Sequence, residues 1–181
     1  MKNIYVFLTT GFEEIEALGI VDILRRAGLS VKTVSIEKEK TVVASHGVPV
    51  VADLMFDEVD SGNAEMLVLP GGTIRLNEHD GLKKQVLAFY EKGEKVAAIC
   101  AAPMVLGGLG ILKGRKATCY PGFEKYLTDA ILETDKAVVI DGNVITGRGP
   151  GLTFDFALTL VELVAGVAKR DEVAAGLLLN E

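Results

Sequence analysis

A cysteine flanked by small residues, Ala98-Ile99-Cys100-Ala101-Ala102, stands where an apolar run from Lys95 to Ile99 meets a helical pattern beginning at Pro103. A strand that turns sharply into a helix exposes the residue at the turn as a nucleophile, and small residues two before and two after it let strand and helix approach closely. Ala98 and Ala102 meet that steric condition. Backbone amides opening the helix would point toward the sulfur and favour thiolate over thiol. The competing reading is that Cys100 packs as a small hydrophobe, since cysteine is among the most buried residue types.

Glu13, Glu14 and Glu16 fall in the first turns of a helical pattern near Glu14–Ala27, where the helix dipole favours carboxylates whatever their role. Glu16 differs in its facing. At about 100° per residue it falls between Ile23 and Ala27, on the apolar stripe of Phe12 and Ile20. A carboxyl group there is partly desolvated, which raises its pKa and fits it to donate a hydrogen bond to a thiolate. Pro70-Gly71-Gly72 closes a buried run. Glycine serves unusual backbone dihedrals at such turns, and an N–H of Gly71 or Gly72 together with that of Ala101 would make an oxyanion hole. Arg148, set among Gly147, Gly149 and Pro150, reads as an anion ligand, a subunit anchor or an ordinary exposed arginine. Cys119, His46 and His79 read as packing or surface residues.

The elements that must position these groups alternate between strand and helix. Apolar runs at Ile4–Leu8, Val31–Ile36, Met66–Leu69 and Lys95–Ile99 are separated by helical patterns near Glu14–Ala27 and Asp80–Glu91. Such alternation predicts a mostly parallel sheet with helices on both faces. Further strands are predicted at Lys116–Cys119, Ala137–Ile140 and Val144–Thr146, the last two joined at Asp141-Gly142, and a long helix over Thr153–Ala165. Val42–Ala44 and Pro49–Val51 suggest a small antiparallel excursion. Ligands of open α/β sheets bind outside the carboxyl ends of the strands. That rule gathers the loops carrying Glu16, Gly71-Gly72, Cys100 and Arg148 at one edge.

With 181 residues, 49% of them hydrophobic and 24% charged, the chain has the balance of one globular domain spanning 1–181. Acidic residues outnumber basic ones by 25 to 19, and the basic ones are scattered, which argues against a nucleic-acid-binding surface. Two cysteines make no disulfide framework and suggest a reducing, cytoplasmic setting. The apolar start is too short for a signal-peptide core, and no run reaches the roughly 18 residues of a membrane span. Neither cysteines nor histidines show zinc-ligand spacing, so no metal is expected.

Taken in order, Gly11-Phe12-Glu13-Glu14-Ile15-Glu16, Leu69-Pro70-Gly71-Gly72, Ala98-Ile99-Cys100-Ala101-Ala102-Pro103 and Arg148-Gly149-Pro150-Gly151 resemble the ThiJ/PfpI superfamily. The likeness is strongest to its branch containing the human Parkinson-associated protein deglycase and bacterial YajL, and it spans almost the whole chain. It implies a flavodoxin-like α/β sandwich, a nucleophile-elbow cysteine at Cys100 hydrogen-bonded to a protonated Glu16, and backbone contacts to the sulfur from Gly72 and Ala101. It also implies a homodimer with Pro150 near the partner's site, and no cofactor. The implied activity is cofactor-independent glyoxalase or deglycase chemistry on methylglyoxal-type 2-oxoaldehydes or their early glycation adducts. The alternative is a redox-sensing stress protein or holdase chaperone in which the cysteine is a switch. Two departures matter. Ala101 follows the nucleophile where the protease-like branch has histidine, which argues against peptidase activity. Tyr120 precedes Pro121 where human-like members carry histidine, and a phenol with an ordinary pKa of about 10 is a poor proton shuttle near neutrality. The expected pocket lining is Gly71, Tyr120, Cys119, Arg148 and Pro150, while His46 falls in a region near the dimer interface of relatives.

Overall fold

The structure, a computed structural model, describes residues 2–179. Its main sheet is built from β1 (Asn3–Leu8), β2 (Ser30–Ser35), β5 (Leu54–Met55), β6 (Ala64–Leu69), β7 (Lys95–Ile99), β10 (Val138–Asp141) and β11 (Val144–Gly147). Across the sheet the order is β10-β11-β7-β6-β1-β2-β5. Every neighbouring pair is parallel except the β10–β11 hairpin. Two small ribbons stand apart from it: β3 (Thr41–Val43) antiparallel to β4 (Pro49–Val51), and β8 (Lys116–Ala117) parallel to β9 (Ile131–Leu132).

The central strands read as unbroken apolar runs because both of their faces are covered. Ile4, Val6, Leu8, Met66, Val68, Ala97 and Ile99 pack on one side with α1 (Glu14–Arg26) and α4 (Thr153–Ala165). The alternate residues Tyr5, Phe7, Leu67, Leu69, Val96 and Ala98 pack on the other with α2 (Asp80–Glu91) and α3 (Pro103–Gly108). Period-two side-chain alternation thus divides one stretch of sequence between two cores. α1 and α4 lie in close contact because Gly19 has no side chain: a Cβ there would stand 2.9 Å from Thr153 Cγ2.

The expected fold is the observed one, a mostly parallel sheet between helical layers. One local expectation changes, and two further elements appear. The strand predicted over Lys116–Cys119 stops at Ala117 and joins a ribbon outside the main sheet, because its partner is Ile131–Leu132 rather than a central strand. The strand β5 at the sheet edge, Leu54–Met55, is only two residues long, too short for a periodic signal of its own. A terminal helix α5 (Val167–Gly176) follows Gly166, whose φ of +86° breaks α4; it buries only Val173 and Ala174 and so has little periodic signal. The excursion after β2 is real and is tied to the site by main-chain bonds: Gly11 N donates to Val43 O at 2.8 Å and Ser45 N to Phe12 O at 2.8 Å.

α3, the helix that follows Cys100, packs its Gly107 directly on the backbone of Tyr126 and Leu127, and a Cβ at Gly107 would collide with both. Backbone cannot move aside as a flexible side chain does. Gly107→Ala is therefore expected to lower the melting temperature by roughly 3–10 °C, the range for overpacking by one methyl in a domain of this size. Thermal unfolding followed by circular dichroism checks it; an unchanged midpoint contradicts the packing argument.

Candidate active site

β7 ends at Ile99 and the chain turns at once into Ala101-Ala102 and α3. Cys100 sits in that turn with φ +65°, a left-handed conformation uncommon for a residue with a Cβ. The surrounding hydrogen bonds impose it: Cys100 N donates to Gly147 O at 2.9 Å, Tyr120 N donates to Cys100 O at 2.8 Å, and Ala102 N closes the turn on Ile99 O at 3.0 Å. Ala98 and Ala102 are buried beside it, as the elbow requires.

The loop after β6 is threaded against this turn with no room for side chains. A Cβ on Gly71 would stand 2.6 Å from Cys100 Cβ and 2.8 Å from Glu16 Oε2; Gly72, at φ +94°, has the backbone of Gly11, Phe12 and Glu13 on the side where a Cβ would go. Gly71 binds on both sides. Its N–H donates to Glu16 Oε2 at 2.7 Å, and its carbonyl accepts from Glu13 N at 3.0 Å. Glu13 in turn caps α1, its carboxylate accepting from Glu16 N at 2.8 Å. The first turn of α1 is thereby pinned to the glycine loop, with Glu16 aimed beneath Cys100.

Glu16 is fully buried (0% exposed), and among the described residues its Oε1 has no hydrogen-bond partner. Burial drives its pKa up to about 7, against the opposing hydrogen bonds of the Gly71 N–H and the Cys100 side chain. The facing deduced from helical periodicity therefore holds. The thiol departs from expectation. Burial pushes Cys100 up to about 12, with the charge of Glu16 and its hydrogen bond adding, while the N–H groups of Gly72 and Ala101 pull downward. α3 has only six residues, so its amides cannot offset burial beside a carboxylate. Protonating Glu16 removes the charge that holds the thiol proton in place. Carboxylate with thiol, and carboxylic acid with thiolate, are two arrangements of one shared proton.

Above the pair opens a pocket of about 560 Å³, lined by Cys100, Gly72 and Ala101 together with Tyr120, Phe123, Pro150, Thr73 and Ile74, and by Glu13, Ser45 and His46 on the side of the β3–β4 hairpin. Tyr120 and Pro150 line it, and Gly71 lies beneath it between Glu16 and Cys100. Cys119 and Arg148 do not line it. Because the strand ends at Ala117, Cys119 turns into the core on the α2–α3 side, where burial raises its thiol to about 11. Arg148 faces an adjoining groove of about 310 Å³ that shares Tyr120 and Pro150. A hollow of similar size between α4, α5 and β10, about 540 Å³, is lined by charges that pair among themselves, Arg170 with Glu162 at 2.7 Å and with Asp171 at 2.8 Å.

His46 is the residue that the sequence concealed. Its backbone N–H donates to Glu14 Oε1 at 2.6 Å, and its Nδ1 lies 2.8 Å from Glu14 Oε2, which also accepts from Ser45 Oγ at 2.8 Å. Partial burial acts upward on Glu14, but the hydrogen bonds from His46, Ser45 and the backbone outweigh it and hold the carboxyl at about 2. Glu13, Glu14 and His46 offer ligand atoms within 4.8 Å of one another, the grouping with metal-ligand chemistry among the described residues. Their carboxylate oxygens already accept hydrogen bonds from α1 and from the hairpin.

The profile of the DJ-1/PfpI family matches residues 2–163. The chain belongs to the DJ-1/PfpI family. Two Arabidopsis thaliana relatives, Protein DJ-1 homolog B and homolog A, are 37% and 38% identical over 99% of this chain, which spans only 42% and 47% of their lengths. The Drosophila melanogaster Protein dj-1beta is 39% identical, with 98% of this chain and 97% of that protein covered. The crystal structure of Drosophila DJ-1beta superposes with a TM-score of 0.93, covering 98% and 97% of the two chains. A Pyrococcus horikoshii member named Deglycase PH1704 is 36% identical over 88% of this chain and 98% of its own. Among the described residues no helix is long and apolar enough to cross a membrane.

For this DJ-1/PfpI site the buried carboxyl has a consequence for stability. Glu16 titrates near 4.5 unfolded and near 7 folded. Below the lower value both states hold the proton; above the higher one the folded state must bury a charge, so stability falls as pH rises between them. The loss amounts to about 3 kcal/mol by that difference. Glu16→Gln keeps an acceptor for the Gly71 N–H and carries no charge. Urea unfolding at about pH 5 and about pH 8 is expected to show the wild type losing more stability with pH than the variant, in which only the contribution of His46 remains; parallel slopes contradict the assignment.

Proposed function

We propose that the protein converts 2-oxoaldehydes such as methylglyoxal, or their early glycation adducts, by covalent catalysis at Cys100 without a cofactor. The observation that carries this reading is the pairing of a backbone-strained cysteine with a buried carboxyl titrating near neutrality. The name of the Pyrococcus horikoshii relative, a deglycase, supports the substrate class. Transfer of the shared proton to Glu16 leaves a thiolate, which attacks the aldehyde carbon. The new oxyanion meets the N–H groups of Gly72 and Ala101, the same groups that favour the thiolate. Each such donor contributes about 3 kcal/mol to a transition state. Glu16 returns its proton to that oxygen, giving a hemithioacetal and a carboxylate ready to take the C–H proton. The resulting enediol collapses to a thioester, which water hydrolyses to a 2-hydroxy acid.

Glutathione-free incubation of wild type and Cys100→Ser with methylglyoxal, with lactate as the readout, tests the reading. Lactate is expected from the wild type, with a loss of at least about 10²-fold in the variant. Equal lactate from both, or none from either, overturns it. The second reading, a redox switch, is favoured by one specific feature: Glu16 Oε1, buried and unpartnered among the described residues, sits on the carboxyl that meets the sulfur. A protonated carboxyl there would hydrogen-bond a sulfinate. Gain of two oxygens at Cys100 by intact mass after mild peroxide, without aldehyde turnover, selects that alternative. Either role is proposed for a homodimer, which light scattering would read as twice the mass of one chain.

A further inference from the structure

The chemistry proposed for Cys100 needs a donor that Cys100, Glu16 and the two backbone N–H groups do not supply. A 2-oxoaldehyde has two carbonyl oxygens. The Gly72 and Ala101 N–H groups take the one on the attacked carbon; removal of the C–H proton then drives charge onto the other. Tyr120 shares the pocket, but a phenol is a weak acid near neutrality. His46 also lines the pocket, and of its two ring nitrogens Nδ1 is engaged, by Glu14 and Ser45. That leaves Nε2 for a ligand. A carboxylate on one ring nitrogen fixes the tautomer and stabilises the imidazolium when the other works as acid.

We propose that His46, held through Nδ1 by Glu14, is the general acid and base of this pocket, donating from Nε2 to the second carbonyl oxygen of a bound 2-oxoaldehyde. This inference rests on the Cys100 reading above. Once the hemithioacetal has formed, the Glu16 carboxylate takes the proton from the sulfur-bearing carbon. That C–H electron pair becomes the carbon–carbon double bond, and the ketone π pair moves to its oxygen, which takes the Nε2 proton. In the reverse sense Glu16 returns its proton to the former ketone carbon, and the neutral Nε2 takes the hydroxyl proton of the sulfur-bearing carbon. The product is a thioester beside a new secondary alcohol, with imidazolium and carboxylate restored and no oxidant or reductant consumed.

The charges facing His46 are those of Glu14, in the first turn of α1, and, less directly, of Glu13, its cap; hydrogen bonding to Glu14 and its charge raise the imidazole above its ordinary range, against a smaller effect of burial. Glu14, held at about 2, stays a carboxylate throughout and acts as a positioning residue. Activity requires the imidazolium, so the alkaline limb of the rate profile belongs to His46. A simple aldehyde has no second carbonyl and gains nothing from it.

The test compares wild type, H46Q and E14Q for methylglyoxal turnover across pH, with alkylation of Cys100 by iodoacetamide as a measure of the thiol alone. H46Q is expected to lose about 10²-fold in kcat and to lose the alkaline limb, while its alkylation rate stays within about twofold. E14Q is expected to move that limb to lower pH, because the carboxylate no longer favours the imidazolium. H46Q turnover within about threefold of wild type, or an alkaline limb unmoved in E14Q, overturns the proposal while leaving the Cys100 reading intact. If H46Q also slows alkylation, the E14Q limb alone decides. Absence of lactate from the wild type overturns both together.

Discussion

One hydrogen bond, from the Gly71 N–H to Glu16 Oε2, orders the cysteine-bearing end of this molecule. A carboxyl group without access to water is costly unless it is bonded or protonated, and here one backbone donor holds one oxygen while the other has no partner among the described residues. That incomplete satisfaction is what raises the group toward neutrality. A second donor on Oε1 would lower it and favour the shared proton on sulfur. That solvation deficit is tolerated because α1 is clamped to the glycine loop through Glu13 N and the Gly71 carbonyl, and the elbow to β11 and the Tyr120 loop through both main-chain groups of Cys100.

The same clamp explains why steric features recur at each contributing loop. Gly71 and Gly72 allow two backbones and a carboxyl to meet within van der Waals distance. Ala98 and Ala102 let the elbow close. Cys100 takes a left-handed conformation because its N–H and C=O are both committed to neighbouring strands and loops. Strain at one residue is balanced by bonds made by residues around it.

These local requirements also decide what sequence alone reveals. The elbow is legible because it demands small residues at fixed offsets from Cys100, and the burial of Glu16 because a helix repeats its facing every 3.6 residues. Central strands declare themselves by runs such as Met66-Leu67-Val68-Leu69, buried on both faces. The pocket rim is different. His46 reaches it on a hairpin of two three-residue strands whose location depends on bonds from Val43 and Ser45 to residues some thirty positions earlier, and no local pattern encodes such a contact. Cys119 lies away from its expected place for a related reason: Lys116–Ala117 pairs with Ile131–Leu132, so the chain after it turns before reaching the main sheet. α5 was silent because two buried side chains make no period.

The hairpin carries a consequence for how such a site diversifies. It is anchored to the loop after β1 through carbonyl and amide groups, which every residue type supplies, and the side chains of Ser45 and His46 at its tip add bonds to Glu14. The main-chain bonds hold the hairpin whatever residue stands at position 46, while the bond from the side chain to Glu14 depends on it. A substitution at position 46 therefore changes the charge at the mouth of the pocket, while Cys100 and Glu16 on the other wall are held by separate bonds to Gly147, Tyr120 and Gly71.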